Sequence, residues 1–77
     1  DNSFSTEQHS QWYETQYVAN MRENPGKDND LVIALKVGTA VYLVDTTEKK
    51  ADDMYWVHVR TEDGYEGWIL SEAINRN

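Results

Sequence analysis

The chain has 77 residues and a formal net charge of −7 at pH 7, from seven Lys and Arg against fourteen Asp and Glu. So short a chain forms one domain with a small core, since folding buries only about 60% of its unfolded surface. Its negative field repels phosphate backbones and anionic membranes, so we expect no nucleic-acid partner. The absence of cysteine excludes disulfide bonds, thiolate metal sites and a cysteine nucleophile. No apolar run approaches the roughly eighteen residues of a membrane span, so we expect no membrane insertion.

Residues 1–16 are mostly Ser, Thr, Gln, Glu and Asn, with Phe4, Trp12 and Tyr13 as the only large apolar side chains. No apolar stripe of helical period runs through them, so we predict a linker or flexible arm. One alternative stays open, in which Trp12 and Tyr13 fold back and cover an edge or one end of the domain. Residues 17–77 are predicted to form that domain.

From residue 17 onward, short apolar segments alternate with turn residues. We predict five strands, at residues 17–21, 31–35, 41–44, 55–60 and 67–70. Pro25-Gly26 marks one turn, because Pro presets φ and Gly adopts positive φ. The polar stretch at residues 45–53 is predicted to be a solvated loop, and residues 71–74 a 3₁₀ turn or strand end. Five short strands without a long helix predict an all-β fold, a small five-stranded barrel.

The last two predicted strands flank Asp63-Gly64, which indicates a hairpin with a type I′ turn. Side-chain alternation places Val57 and Val59 in the core and Trp56 on the opposite, less buried face or at the mouth of the barrel. Two interpretations of Trp56 stay open, since its indole either binds a ligand or covers one end of the barrel. Trp68 is expected to pack in or near the core.

Four ordered segments carry a family resemblance: residues 20–26 (NMRENPG), 35–41 (LKVGTAV), 56–60 (WVHVR) and 63–69 (DGYEGWI). With these segments, residues 17–74 resemble the bacterial SH3 domain. The resemblance implies a five-stranded SH3-like barrel that serves as an accessory module of cell-envelope proteins and wall hydrolases. It also implies binding of peptidoglycan peptides or other proteins, without catalysis.

The end of the chain is similar to the closing motif of eukaryotic SH3 domains, whose grooves bind Pro-rich peptides. Leu70 stands where that motif has its groove-lining proline, and Ala73 where it has a tyrosine. Because two residues of the aromatic and proline floor are replaced, we disfavour a Pro-rich ligand.

We predict a binding groove between the loops at residues 23–30 and 45–54. Aromatic side chains are expected to give apolar contact, and acidic loop residues to attract an amine of a peptidoglycan stem or cross-bridge. The predicted ligand-binding residues are Tyr17, Glu23, Asp28, Asp30, Tyr55, Trp56 and Tyr65.

Catalysis and metal binding are not expected. His58 is interpreted as a surface histidine, because His9 in the arm is the only other imidazole. The acidic pairs fall in predicted turns, and so small a domain has no second lobe to form the cleft that a glycosidase needs. Residues 28–30 resemble a calcium loop only superficially, since the required Gly and distant Glu are missing. The sequence thus predicts a cofactor-free, non-catalytic binding module of the cell envelope, with a protein-interaction module as the alternative.

Overall fold

The computed structural model describes residues 12–75, which form six strands and one short 3₁₀ helix. The strands are β1 (Trp12–Glu14), β2 (Ala19–Arg22), β3 (Leu31–Leu35), β4 (Ala40–Ala51), β5 (Met54–Thr61) and β6 (Glu66–Leu70). The 3₁₀ helix covers Ser71–Ala73. This agrees with the first of the two structures predicted there, a 3₁₀ turn or a strand end. The all-β prediction is confirmed, but the described residues contain six strands rather than five.

All six strands form one antiparallel sheet in the order β1-β4-β5-β6-β2-β3. The sheet curls around a single core, to which every strand from β2 to β6 contributes buried side chains. The core comprises Ala19, Met21, Leu35, Val41, Leu43, Val57, Val59, Ile69, Ala73 and Ile74. The alternation of β5 is therefore confirmed at Val57 and Val59, which are both 0% exposed.

Strand β1 pairs with β4 and covers its edge. Trp12 and Tyr13 therefore fold back onto the domain, which was the alternative to a flexible arm. Thr15, just after β1, is buried and holds the segment in place. Its hydroxyl donates to the Lys36 carbonyl at 2.8 Å and accepts from the Thr39 N–H at 3.0 Å. Residues 1–11 lie outside the described residues, and the domain start at residue 17 stays a prediction.

Strand β4 continues to Ala51, so the solvated loop predicted at residues 45–53 is wrong. Ala51 pairs with Met54, and the two residues between them, Asp52 and Asp53, have φ of 57° and 62°. A two-residue turn with positive φ at both positions is the type I′ geometry. Aspartate accepts this backbone because its short polar side chain forms local hydrogen bonds. The β4–β5 hairpin therefore extends as a ribbon beyond the core.

The pairing of β4 with β5 is irregular at two places, between Leu43 and Asp45 and between Asp45 and Lys49. Asp45 pairs with His58 and Lys49 with Trp56, so residues 46–48 face a single residue of β5. Such extra residues bend a strand and increase its twist. The Thr47 N–H donates to Asp45 Oδ1 at 2.9 Å, and this bond holds the pKa of Asp45 below its usual value.

The β5–β6 hairpin is present, with its pairing running from Trp56 opposite Leu70 to Arg60 opposite Glu66. Its turn is not type I′, because only Gly64 has positive φ, at 97°. The Gly64 N–H donates to the Thr61 carbonyl at 3.1 Å. This is a three-residue loop that ends on a left-handed glycine. The type I′ turn lies instead at the tip of the β4–β5 hairpin.

Gly67 brings β6 unusually close to β2. A Cβ at this position would lie 2.6 Å from the Arg22 carbonyl oxygen and 2.7 Å from Met21 Cγ. Neither distance leaves room for a methyl group, so the approach of the two strands requires glycine. This junction places the end of β2 beside Trp68, the pairing partner of Arg22.

Candidate functional site

A cleft of about 160 Å³ opens where β2, the start of β5 and the end of β6 meet. Its walls combine apolar, aromatic, amide and basic side chains. The lining residues are Tyr17, Val18, Ala19, Asn20, Arg22, Lys27, Trp56, Leu70 and Ala73. Two predicted ligand-binding residues, Tyr17 and Trp56, are therefore in one cleft. Leu70 and Ala73, the two positions that differ from eukaryotic SH3 domains, line it too.

Trp56 forms a buried part of this cleft, with only 2% of its surface exposed. Its indole N–H donates to the Ala51 carbonyl at 3.0 Å across the β4–β5 hairpin. The expectation that Trp56 lies on the less buried face is wrong. Trp56 does lie outside the valine core, as alternation requires, but the hairpin and the residues around the cleft cover that face.

Tyr17 is the large exposed aromatic wall of the cleft, at 41% exposure. Partial burial raises the pKa of its hydroxyl, and the nearby Glu72 carboxylate raises it further through its negative charge and a hydrogen bond. The hydroxyl therefore stays protonated at neutral pH and faces an acidic group at that end of the site.

A second, shallower depression of about 290 Å³ adjoins the cleft. It is lined by Asp53, Met54, Tyr55, Leu70, Ser71 and Glu72. Because Leu70 belongs to both, we call the cleft and the depression together the groove. Tyr55, another predicted site residue, is 52% exposed in the depression.

The charges of the groove are arranged differently from the prediction. Arg22 and Lys27 line the cleft, whereas Asp53 and Glu72 line the depression. The acidic residues predicted to contact a ligand are exposed and line neither part; they are Glu23, Asp28 and Asp30. The groove therefore has a basic end and an acidic end, on either side of Leu70.

The two loops expected to border an open groove are in contact. The Lys27 main-chain N–H donates to Asp52 Oδ2 at 2.7 Å, which links the loop at residues 23–30 to the tip of the β4–β5 hairpin. The groove consequently runs along the β2 and β6 side of this link. Lys27 of one loop and Asp53 of the other line the groove, so its position between the two loops stays a prediction.

Tyr65 is the predicted site residue farthest from this arrangement. It is 43% exposed and lines a different depression, of about 270 Å³, beside β3. This depression shares no lining residue with the groove. The structure therefore does not bring Tyr65 together with Tyr17, Tyr55 and Trp56.

A separate set of side chains covers the outside of the sheet, and we call it the outer cluster. It consists of Trp12, Tyr42, His58, Arg60, Glu66 and Trp68. Trp68 stacks on His58 with ring centroids 4.9 Å apart, and it is only partly buried. The expectation that Trp68 packs in the core is therefore wrong, because cross-strand pairing with His58 places it on the outer face.

Polar groups of the outer cluster are paired with one another. His58 Nε2 lies 2.9 Å from Glu66 Oε2, and the Arg60 guanidinium lies 5.3 Å from the centre of the Tyr42 ring. His58 is thus engaged as a surface residue, while His9 lies outside the described residues. Across residues 12–75, no group of three or more His, Asp or Glu side chains is placed to hold a metal ion. Over the same residues, no helix has the length and apolar character to cross a membrane.

Sequence reasoning missed the basic residues of the cleft, Arg22 and Lys27. Each is a basic residue with no basic neighbour in the sequence, so no local charge pattern marks it. Glu72 was missed for the same reason. The comparison of Leu70 and Ala73 with a groove-lining motif was used only to disfavour a Pro-rich ligand, but it is the signal that could have located this surface.

A family model described as the bacterial SH3 domain matches residues 17–75. No curated protein and no solved structure is a match for the chain. The matched span covers most of the chain and includes β2 to β6, the 3₁₀ helix and every residue that lines the groove. The chain therefore belongs to the bacterial SH3 domain family, a family of binding modules with a small SH3-like all-β fold.

Proposed function

We propose that this domain binds peptidoglycan stem or cross-bridge peptides in the groove. The observation that carries the proposal is the joining of cleft and depression at Leu70, with Tyr17 exposed on one side and Tyr55 on the other. An extended peptide lying across Leu70 gains apolar contact from both rings. Membership of the bacterial SH3 family supports a wall ligand, since such domains are often peptidoglycan-related.

The distribution of charge also supports a wall peptide, which carries both amines and carboxylates. Asp53 and Glu72 give the groove an acidic end that suits an amine. In this proposal Glu23, Asp28 and Asp30 attract the amine from a distance. The two carboxylates of the groove contact it directly. The binding is non-catalytic and takes place in the cell envelope, where bacterial SH3 domains commonly occur.

Chemical-shift mapping with a stem pentapeptide, supported by a pulldown on purified peptidoglycan, tests this function. We expect shifts at the Tyr17 and Leu70 amides and at the Trp56 indole N–H. Tyr17→Ala should weaken binding about 5-fold to 10-fold, since an aromatic contact contributes roughly 1 kcal/mol. Tyr65→Ala is the matched control, because Tyr65 is similarly exposed but lies outside the groove. Absence of shifts in the groove at millimolar peptide would contradict the proposal.

A protein partner is the second candidate. Strand β3 ends the sheet within the described residues, and Leu31 at its start is 51% exposed. A free strand edge can accept an extended segment of another protein through main-chain hydrogen bonds. Retention of one specific protein from lysate, with no retention of the wall, would favour this candidate over the first.

A further inference from the structure

The basic end of the groove is unusual for so acidic a chain. The protein has twice as many acidic as basic side chains, fourteen against seven. Nevertheless, both ionisable side chains other than Tyr17 that line the cleft are basic, Arg22 and Lys27, and no carboxylate lines it. A cleft with this local charge attracts an anion, even though the net field of the protein repels one.

Arg22 has hydrogen-bonding capacity available for such an anion. Its guanidinium donates one bond, at 3.0 Å, to the Asn29 carbonyl, which fixes the side chain against the loop. A guanidinium has five N–H donors, and its planar arrangement matches the two oxygens of a carboxylate. Among the described residues, the one ion pair joins His58 and Glu66, so Arg22 and Lys27 have no carboxylate partner there.

The acidic residues close to the cleft already have hydrogen-bond partners other than the Arg22 and Lys27 side chains. Asp52 accepts the main-chain N–H of Lys27 at 2.7 Å and so fixes the loop backbone. Glu72, which lines the depression, faces the hydroxyl of Tyr17, which lines the cleft. The half-buried Arg22 is therefore held in position without internal neutralisation, which is the arrangement expected of an anion-binding group.

We infer that the cleft binds the C-terminal carboxylate of a peptide through Arg22 and Lys27. The rest of the peptide then crosses Leu70, and its amine-bearing part lies toward Asp53 and Glu72. This inference rests on the proposed function, and it adds the orientation of the ligand and the chemical group that anchors it. The anchor is a carboxylate at the basic end, in addition to the amine that the acidic residues attract.

The direct test compares N-acetyl-D-alanyl-D-alanine with its C-terminal amide, which has the same shape but no charge. Amide shifts of the full 77-residue protein are followed at low ionic strength, where screening is weak. We expect the acid to shift Asn20, Arg22 and Lys27 and to bind about 10-fold more tightly than the amide, the effect of one charge-assisted pair. Equal binding of acid and amide overturns the inference.

Charge-neutral variants locate the anchor. Arg22→Gln should weaken binding of the acid about 10-fold and Lys27→Gln about 3-fold, as expected for a bidentate and a single-point contact. Lys36→Gln removes the same charge from an exposed residue outside the groove and should leave binding unchanged. The Lys27 side chain is exposed, so its variant should remain folded even if Arg22→Gln is unstable. An equal loss in all three variants would indicate only long-range attraction and would contradict the inference.

The stereochemistry of the probe distinguishes the source of the carboxylate. Preference for the D,D dipeptide over N-acetyl-L-alanyl-L-alanine supports a wall stem peptide, while preference for the L,L form indicates the C-terminus of a protein. If the stem pentapeptide binds and the acid and amide dipeptides bind equally, the carboxylate anchor fails and the proposed function stands. If the L,L acid binds and no wall peptide does, the anchor stands and the proposed function fails.

Discussion

The side chains of β5 and β6 that face away from the core have two different environments along one face. At one end Trp56 and Leu70 form part of the groove, and Trp56 is almost fully covered. Further along, His58 and Trp68 stack in the outer cluster, where both remain partly exposed. The same alternation therefore produces a buried tryptophan and a partly exposed one, because neighbouring loops and the β4–β5 hairpin cover only one end.

The two environments also differ in how their charges are paired. In the outer cluster, Glu66 contacts His58 and Arg60 lies over the Tyr42 ring. In the cleft, Arg22 donates to a carbonyl, and its charge has no carboxylate partner among the described residues. Paired charges contribute to the sheet surface, whereas an unpaired, fixed charge is available to a ligand. This difference is why we place the binding site in the groove rather than on the more visible aromatic surface.

Replacing each of the two tryptophans by alanine in turn should give the largest difference in stability between the two environments. Trp56→Ala should lower the free energy of unfolding by about 3–5 kcal/mol, since it removes a buried indole and leaves a cavity. Trp68→Ala should cost less, about 1–2 kcal/mol, from the loss of the stacking contact and of partial burial. Urea unfolding measures both.

A marginally stable domain will unfold if it loses the free energy expected for Trp56→Ala. The milder variant Trp56→Phe therefore provides a second measurement. This variant keeps most of the apolar volume and removes the hydrogen bond to Ala51, at a cost of about 1–3 kcal/mol. Equal destabilisation by Trp56→Ala and Trp68→Ala would show that the two indoles do not differ in burial.

Gly67 lies where the two environments meet. It brings β6 close to β2 next to the position where Trp68 of the outer cluster pairs with Arg22 of the cleft. Gly67→Ala should cost roughly 2–3 kcal/mol, since its methyl group overlaps the Arg22 carbonyl and the Met21 side chain. Gly64→Ala is the control: its Cβ meets open space, so it should cost only about 1–2 kcal/mol for the left-handed backbone. A larger loss at Gly64 than at Gly67 in urea unfolding would refute the close approach of the strands.

The parts of the fold that were predictable carry local signals. The β5–β6 hairpin has alternating valines on one strand and a glycine in its turn, and both features survive in the structure. The outer half of β4 carries no such signal, since residues 44–50 are exposed on both faces and show no apolar periodicity. Its turn at Asp52-Asp53 contains no glycine. Without that hairpin, the covering of Trp56 could not be foreseen.

The site was only partly predictable for a similar reason. Aromatic residues can be picked out by residue type alone, and three of those selected, Tyr17, Tyr55 and Trp56, line one groove. Tyr65 was selected by the same criterion and lies elsewhere. Whether a charged residue faces the groove depends on the fold of its loop, and no spacing in the sequence encodes that Lys27 lines the cleft while Asp28 does not.

Partial burial and, to a lesser extent, the neighbouring Glu72 raise the pKa of Tyr17, and this shift sets the sign of a pH dependence. A hydroxyl that holds its proton more tightly in the folded state adds stability below its unfolded pKa of about 10. That contribution is lost as pH rises through the higher folded pKa. We therefore expect the domain to lose stability on the alkaline side of pH 10, a small effect because Tyr17 is well exposed.

Removing the Glu72 charge isolates the contribution of Glu72 to the raised pKa of Tyr17. It also tests whether Glu72, at the acidic end of the groove, faces Tyr17. Glu72→Gln should lower the Tyr17 pKa only part of the way to its ordinary value, because partial burial, the larger cause, remains. Glu62→Gln removes an equal charge at the β5–β6 turn and should leave that pKa unchanged, as an exposed charge away from Tyr17 is screened. Tyrosine-ring NMR signals, followed through an alkaline titration, report the midpoint for each variant. A midpoint that does not move in Glu72→Gln would show that Glu72 is not adjacent to Tyr17.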